Sequence, residues 1–139
     1  MIIAVDFDGT CVTHEFPKVG KEIGAAPVLK ALTDAGHQII LFTMRSYLDE
    51  SLKTSIDGDP IETCTLTDAI NWFKKHDIPL FGVNENPTQK SWTSSPKPYA
   101  HYYIDDAGLG IPLMISSLSK RPYVDWDLVK YHLHAKGLI

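Results

Sequence analysis

The sequence predicts an α/β fold on a central, mainly parallel sheet of about five strands, and three observations carry that expectation. The first is residues 2–5, Ile-Ile-Ala-Val, an apolar run that leads into Asp6, Asp8 and Gly9. A short apolar run closed by a turn residue suits a central parallel strand covered on both faces. The second is that such runs recur with helical periodicity between them, the pattern of a parallel unit with a right-handed crossover. The third is that polar residues gather at the carboxyl ends of the runs, where open α/β sheets collect ligands.

At 139 residues the chain has the size of one domain, 1–139, with a single well-buried core. After the first strand, Pro17, Gly20 and Gly24 interrupt any period, so residues 11–25 read as a loop. Pro27 fits a first helical position, Val28, Leu29, Leu32 and Ala35 form an apolar stripe, and Gly36 suits the residue just past the helix end. Residues 37–42, His-Gln-Ile-Ile-Leu-Phe, read as a second strand that ends at Thr43-Met44-Arg45. A short helix is expected over 46–55 and a turn over 57–60. Thr65 or Thr67 then caps a helix bearing Leu66, Ala69, Ile70 and Phe73, which stops before Pro79. Leu80–Val83 is a third strand. Residues 84–98 show no period, and a loop of that length is more often functional than ornamental. A fourth strand over 100–104 ends on Asp105-Asp106, residues 111–124 are expected to supply a short fifth, and a capped helix closes the chain at about 126–136 with Trp126, Val129 and Leu133 on one face.

Composition excludes some partners. Thirteen Lys and Arg stand against 17 Asp and Glu, for a net charge of −4, and the basic residues form no stripe, so general nucleic-acid or anionic-membrane binding is not expected. The first apolar run is too short for a signal peptide or a membrane span, which points to a cytoplasmic protein. Cys11 and Cys64, isolated from each other, suit a reducing compartment.

Asp6 and Asp8 would stand about 6–7 Å apart on extended backbone. Two carboxylates so close repel unless a cation, a proton or a hydrogen-bond donor offsets the charge. Mg²⁺ is the natural cation for oxygen ligands alone. Thr43, Asp105 and Asp106 end neighbouring runs, and Lys97 precedes the second acidic pair, with Lys90 as a competitor for the same role. Arg45, Trp92 and His14 are candidates for substrate contact, each with an ordinary packing or surface role as the alternative. Tyr47, Phe16 and Trp92 lie in loops from which an aromatic ring could stack on a sugar or base.

In this combination and order, the residues resemble the haloacid dehalogenase-like superfamily of phosphohydrolases, from Val5 to about Pro112. Asp6-Phe7-Asp8-Gly9-Thr10, closing an N-terminal apolar strand, carries most of the likeness. Lys97-Pro98-Tyr99-Ala100 leading into Tyr103-Ile104-Asp105-Asp106 is similar to compact members related to capsule-biosynthesis phosphatases, and His14 to Pro17 to a His-x-Phe-Pro loop of small bacterial members. The resemblance implies a three-layer Rossmann-like sandwich, here with no inserted cap domain, since 11–25 and 84–98 have room only for loops.

It also implies Mg²⁺-dependent hydrolysis of a phosphomonoester through an aspartyl-phosphate. Asp6 would be the nucleophile and Asp8 the general acid and base. The carboxylates of Asp6 and Asp105 and the backbone carbonyl of Asp8 would hold Mg²⁺. Thr43 would donate to a phosphoryl oxygen and Lys97 would neutralise charge, with Thr10, Asp106 and Arg45 in support. A small phosphorylated metabolite or phosphorylated glycan is favoured over nucleic acid, at a site closed by its loops or by a second copy in a homo-oligomer. The rival readings are a non-catalytic domain that binds Mg²⁺ or phosphate on the same fold, and a phosphotransferase. A cysteine phosphatase is excluded, because Pro17 and Ile70 stand where an Arg would have to follow Cys11 and Cys64.

Overall fold

The structure, a computed structural model, describes residues 1–47 and 64–139. Its elements are β1 (Ile2–Val5), α1 (Ala25–Asp34), β2 (Gln38–Leu41), α2 (Thr65–Lys75), β3 (Leu80–Val83), β4 (Tyr102–Ile104), β5 (Leu113–Met114), β6 (Tyr123–Val124) and α3 (Trp126–Ala135). The short helix expected over 46–55 and the turn over 57–60 lie, apart from residues 46 and 47, outside the described residues.

The sheet is parallel, in the order β3-β2-β1-β4. It has four strands and not five. β5 and β6 pair with each other, antiparallel, as a separate two-stranded ribbon. Both residues of β5 are exposed, so that segment has no buried face to offer a central sheet.

β1 lies inside the sheet, with Val5 opposite both Leu41 and Ile104. The residues that follow those three, Asp6, Phe42 and Asp105, therefore leave the same edge side by side.

Helix ends follow local chemistry. α1 begins two residues before Pro27, from Gly24 at φ 90°; Pro27 still falls in the first turn, where a missing N–H breaks no intrahelical bond. Its end is at the expected glycine, Gly36 at φ 91°, a left-handed position that favours Gly. Thr65 opens α2 instead of capping it. Cys64 occupies the cap position, and the Thr65 hydroxyl donates to the Ser46 carbonyl at 3.0 Å. Asp125 caps α3, accepting from the N–H groups of Asp127 and Leu128.

Strand alternation sorts the core. Ile3, Val5, Ile39, Leu41 and Ile104 pack with Leu29 and Leu32 of α1, Phe73 of α2, and Val129 and Leu133 of α3. Ala4 and Ile40, pointing the other way, pack with Ala100 and with Ile2 and Phe81, and no helical residue joins them. Among the described residues the helices thus share one face of the sheet. Successive right-handed crossovers that step in one direction, β1 to β2 to β3, put α1 and α2 on one side. The return from β3 to β4, which would have to carry a helix to the other side, is the aperiodic stretch after Val83.

That stretch is ordered by two buried amides. Gln89 accepts from the Tyr99 N–H at 2.7 Å and donates to the carbonyls of Ser95 and Lys97, while Asn86 donates to the Tyr99 carbonyl at 2.9 Å. No helix among the described residues is long and apolar enough to cross a membrane.

Candidate active site

The site grows out of the end of β1. The Asp6 N–H donates to the Ile104 carbonyl at 3.0 Å, so the backbone is still in the sheet at this residue. Phe7, fully buried, turns into the helical layer against Trp72 and Phe73, which leaves Asp6 and Asp8 to the opposite side. The N–H groups of Thr10, Cys11 and Val12 then all point to the Phe7 carbonyl, and Gly9 takes φ 77°.

Asp6, Asp105 and Asp106 each offer a carboxylate oxygen, and these oxygens lie within 4.8 Å of one another. Thr10 sits between them. Its hydroxyl oxygen accepts from the Asp106 N–H at 3.0 Å and lies 3.0 Å from Asp6 Oδ2 and 3.3 Å from Asp106 Oδ1, within donating reach of either. His14 Nε2 is 2.7 Å from the other Asp106 oxygen.

Burial, the hydrogen bond with Asp106 and the charge of Asp105 push the Asp6 carboxyl up from an ordinary 3.8 to about 8. Burial also raises Asp105, with Asp106 beside it. Burial would raise Asp106 too, but its hydrogen bonds with His14 and Asp6 outweigh that and hold it low. Without a cation the proton therefore resides on Asp6 and the charge on Asp106.

Asp8 stands apart from this cluster, in the grip of Arg45. Arg45 Nε donates to Asp8 Oδ2 at 2.8 Å and Nη2 to Oδ1 at 2.7 Å, a two-pronged pair. The other N–H groups of Arg45 reach the carbonyls of Lys18 at 2.8 Å, Pro17 at 3.2 Å and Thr65 at 3.1 Å. The guanidinium lies 5.0 Å from the Phe7 ring centre and 5.3 Å from that of Phe16, and only 2% of the residue is exposed. Every N–H of Arg45 is in use, so it has none left for a substrate. Phe16, expected at the mouth of the site, packs on this guanidinium.

Thr43 lies where β2 leaves the sheet. Its N–H donates to Asn84 Oδ1 at 2.8 Å and its hydroxyl oxygen accepts from the Arg45 N–H at 3.1 Å, which turns the chain so that Arg45 comes back onto Asp8. Lys97 is exposed, with its ammonium 5.3 Å from the Tyr103 ring centre. Tyr103 lies on the same sheet face as Ala4, beside it in register. Lys90 instead lines a cavity of about 510 Å³ with Asn84, Gln89 and Thr93. Trp92 is 65% exposed and meets Tyr99 edge to face.

Three contacts that build the site have no signal in the local sequence. They are the Arg45 grip on Asp8, the His14 bond to Asp106, and the bond from Trp126 Nε1 to the Thr10 carbonyl at 2.6 Å. The last joins α3 to the motif loop, as does the Val124 N–H on the Gly9 carbonyl.

A cation fits this donor set. Three carboxylates converge, one of them driven by burial and by its acidic neighbours to hold a proton, and no described hydrogen bond ends on the Asp8 carbonyl.

No protein-family model matches the chain, and neither does any curated protein. Among solved structures, that of a conserved protein coded by a locus from Bacteroides thetaiotaomicron superposes with a TM-score of 0.70 at 30% identity, over 98% of this chain and 91% of that one. With this identity across nearly the whole of both chains, the protein belongs to the same family as that conserved Bacteroides protein.

Proposed function

We propose that the protein is a Mg²⁺-dependent phosphatase that hydrolyses a phosphomonoester through an aspartyl-phosphate on Asp6. The observation that carries this reading is the meeting of Asp6, Asp105 and Asp106 within 4.8 Å at the ends of adjacent parallel strands. Kinship with the Bacteroides protein concerns family and fold, whereas the activity rests on the chemistry of the site. The parallel order β3-β2-β1-β4 supports a Rossmann-like core.

Asp6 and Asp105 would hold Mg²⁺, with Asp106 and the Asp8 carbonyl as further oxygen donors. Bound there, the cation supplies positive charge to the phosphoryl oxygens and keeps Asp6 ionised. The Asp6 carboxylate attacks phosphorus, the bond from phosphorus to the ester oxygen breaks, and that oxygen takes a proton from Asp8, which has first exchanged one of its two Arg45 hydrogen bonds for a proton from solvent. Water then attacks the phosphorus of the aspartyl-phosphate, Asp8 takes the proton back, and phosphate leaves with Asp6 restored. The Thr43 hydroxyl, accepting from the Arg45 N–H, keeps its own hydrogen for a phosphoryl oxygen. Lys97, on the sheet face toward which Asp6 points, supplies the remaining cation in preference to Lys90.

The net charge and the lack of a basic stripe favour a small phosphorylated metabolite or phosphorylated glycan, handled in the cytoplasm, over nucleic acid. The site is then closed by its own loops or by a second copy of the chain. One observation favours a non-catalytic binder of Mg²⁺ or phosphate: both carboxylate oxygens of Asp8 are taken by Arg45.

Phosphate release from a panel of sugar phosphates, nucleotides and phosphorylated ends, with Mg²⁺ or chelator, separates the two. Turnover that needs Mg²⁺ and is lost in Asp6→Asn and Asp8→Asn is expected. No turnover on any ester, with Mg²⁺ still bound, would make the protein a binder.

A further inference from the structure

The geometry points to Arg45 as the positioning residue for Asp8, holding that carboxylate out of the acidic cluster. This inference rests on the phosphatase reading above.

Asp8 lies only two residues from Asp6, on the same side of the strand end. A free carboxylate at that distance competes for the cation and adds a further like charge beside three carboxylates that already converge. Yet Asp8 is not among the carboxylates that converge. Two hydrogen bonds keep it away, at 2.7 and 2.8 Å, from a guanidinium whose other N–H groups are all bonded as well.

Arg45 is fixed from every side. Its remaining N–H groups end on the carbonyls of Pro17, Lys18 and Thr65, and the Phe7 and Phe16 rings flank it. The carbonyls belong to two separate segments, the loop after the motif and the start of α2. Arg45 itself comes from the exit of β2. Three parts of the chain therefore set one carboxylate. A lysine could supply the charge but not the planar fork.

The consequence is a division of labour between the two motif carboxylates. Asp6 remains with the cation, and Asp8 is kept for the ester oxygen and then for water. Because Arg45 has no N–H left, it touches neither phosphate nor cation, and its effect passes through Asp8 alone.

The experiment compares wild type, Arg45→Met, Arg45→Lys, Asp8→Asn and the double variant Arg45→Met with Asp8→Asn. The substrates are phenyl phosphate and 4-nitrophenyl phosphate with Mg²⁺. A phenol that leaves poorly needs the proton, whereas nitrophenol leaves without it. Both Arg45 variants should lower kcat on phenyl phosphate by about a hundredfold, and on 4-nitrophenyl phosphate by roughly tenfold or less. KM should stay within about threefold, and the double variant should be no slower than Asp8→Asn, within about twofold, as expected for groups that act as a unit. Equal losses on both esters, additive losses in the double variant, or full activity in Arg45→Lys would overturn the inference.

Arg45→Lys keeps the buried charge and serves alone if Arg45→Met does not fold. Its crystal structure gives a readout independent of turnover: the Asp8 carboxylate should leave its place and approach Asp6, and an unmoved Asp8 refutes the positioning role. A wild type that hydrolyses neither these esters nor any of the panel above ends the phosphatase reading, and the place of Asp8 in that crystal structure then decides the role of Arg45 by itself.

Discussion

Replacing the candidate nucleophile should make the cation-free protein more stable at alkaline pH. A carboxyl that binds its proton more tightly in the folded state contributes stability that is complete below its unfolded value of 3.8 and is lost as pH rises through about 8. At about 1.36 kcal/mol for each pH unit, raising pH from 5 to 8 withdraws on the order of 4 kcal/mol. That is a large part of the roughly 5–15 kcal/mol that holds a domain folded. Asp105 is raised as well and acts in the same direction, whereas Asp106 is lowered, so its contribution is lost only at more acid pH. Asn at position 6 cannot ionise, and its amide can donate to Asp106 as the protonated acid does. Urea unfolding in chelator at pH 5, 6.5, 8 and 9 reads the difference. The gap between the midpoints of Asp6→Asn and wild type should widen steadily from pH 5, the variant gaining about 2 M more by pH 8 for a urea slope near 2 kcal/mol per M. Midpoints that move in parallel across the range would refute the account of the acidic cluster.

Mg²⁺ must displace the proton on Asp6, so its affinity should fall nearly tenfold for each pH unit below about 8, and calorimetry in buffers of different ionisation enthalpy should detect close to one proton released at neutral pH. Gly9→Ala should lose at least about a hundredfold in kcat and unfold at lower temperature: at φ 77° its new Cβ would come 2.0 Å from His14 Nε2 and 2.6 Å from Asp106 Oδ2. Trp126→Phe should cost about 1–3 kcal/mol in urea unfolding, because it leaves the buried Thr10 carbonyl without its donor. Asp125→Ala should cost about 1 kcal/mol through loss of the α3 cap, visible as a fall of roughly 4 °C in Tm, with phosphate release unchanged.

Local pattern went far in this chain. β3 spans the expected residues, and the cores of β1, β2, β4 and α3 lie where apolar runs and periodicity put them, because burial of one face leaves a period that can be read from sequence. The candidate carboxylates were legible for a similar reason. Acidic residues directly after buried runs are placed by the strand itself, and Asp6, Asp105 and Asp106 meet as that placement requires.

The departures share a physical cause, which is dependence on a partner far along the chain. Residues 111–124 contain strands, but they pair with each other because β5 has no buried face. Thr65 resembles a cap, but its hydroxyl is drawn to Ser46, which only the turn after β2 brings near. Arg45 resembles a substrate ligand until Asp8 and the carbonyls of Pro17, Lys18 and Thr65 close around it.

Strand ends, helix stripes and the acidic motif follow from the spacing of residues along the chain, because each depends on neighbours within a few positions. The pairing of strands, the gathering of the helices on one face, and the separation of Asp8 from Asp6 required the folded chain. Each of these is set by contacts between segments tens of residues apart, and a hydrogen bond such as Trp126 to Thr10 leaves no trace in either segment alone.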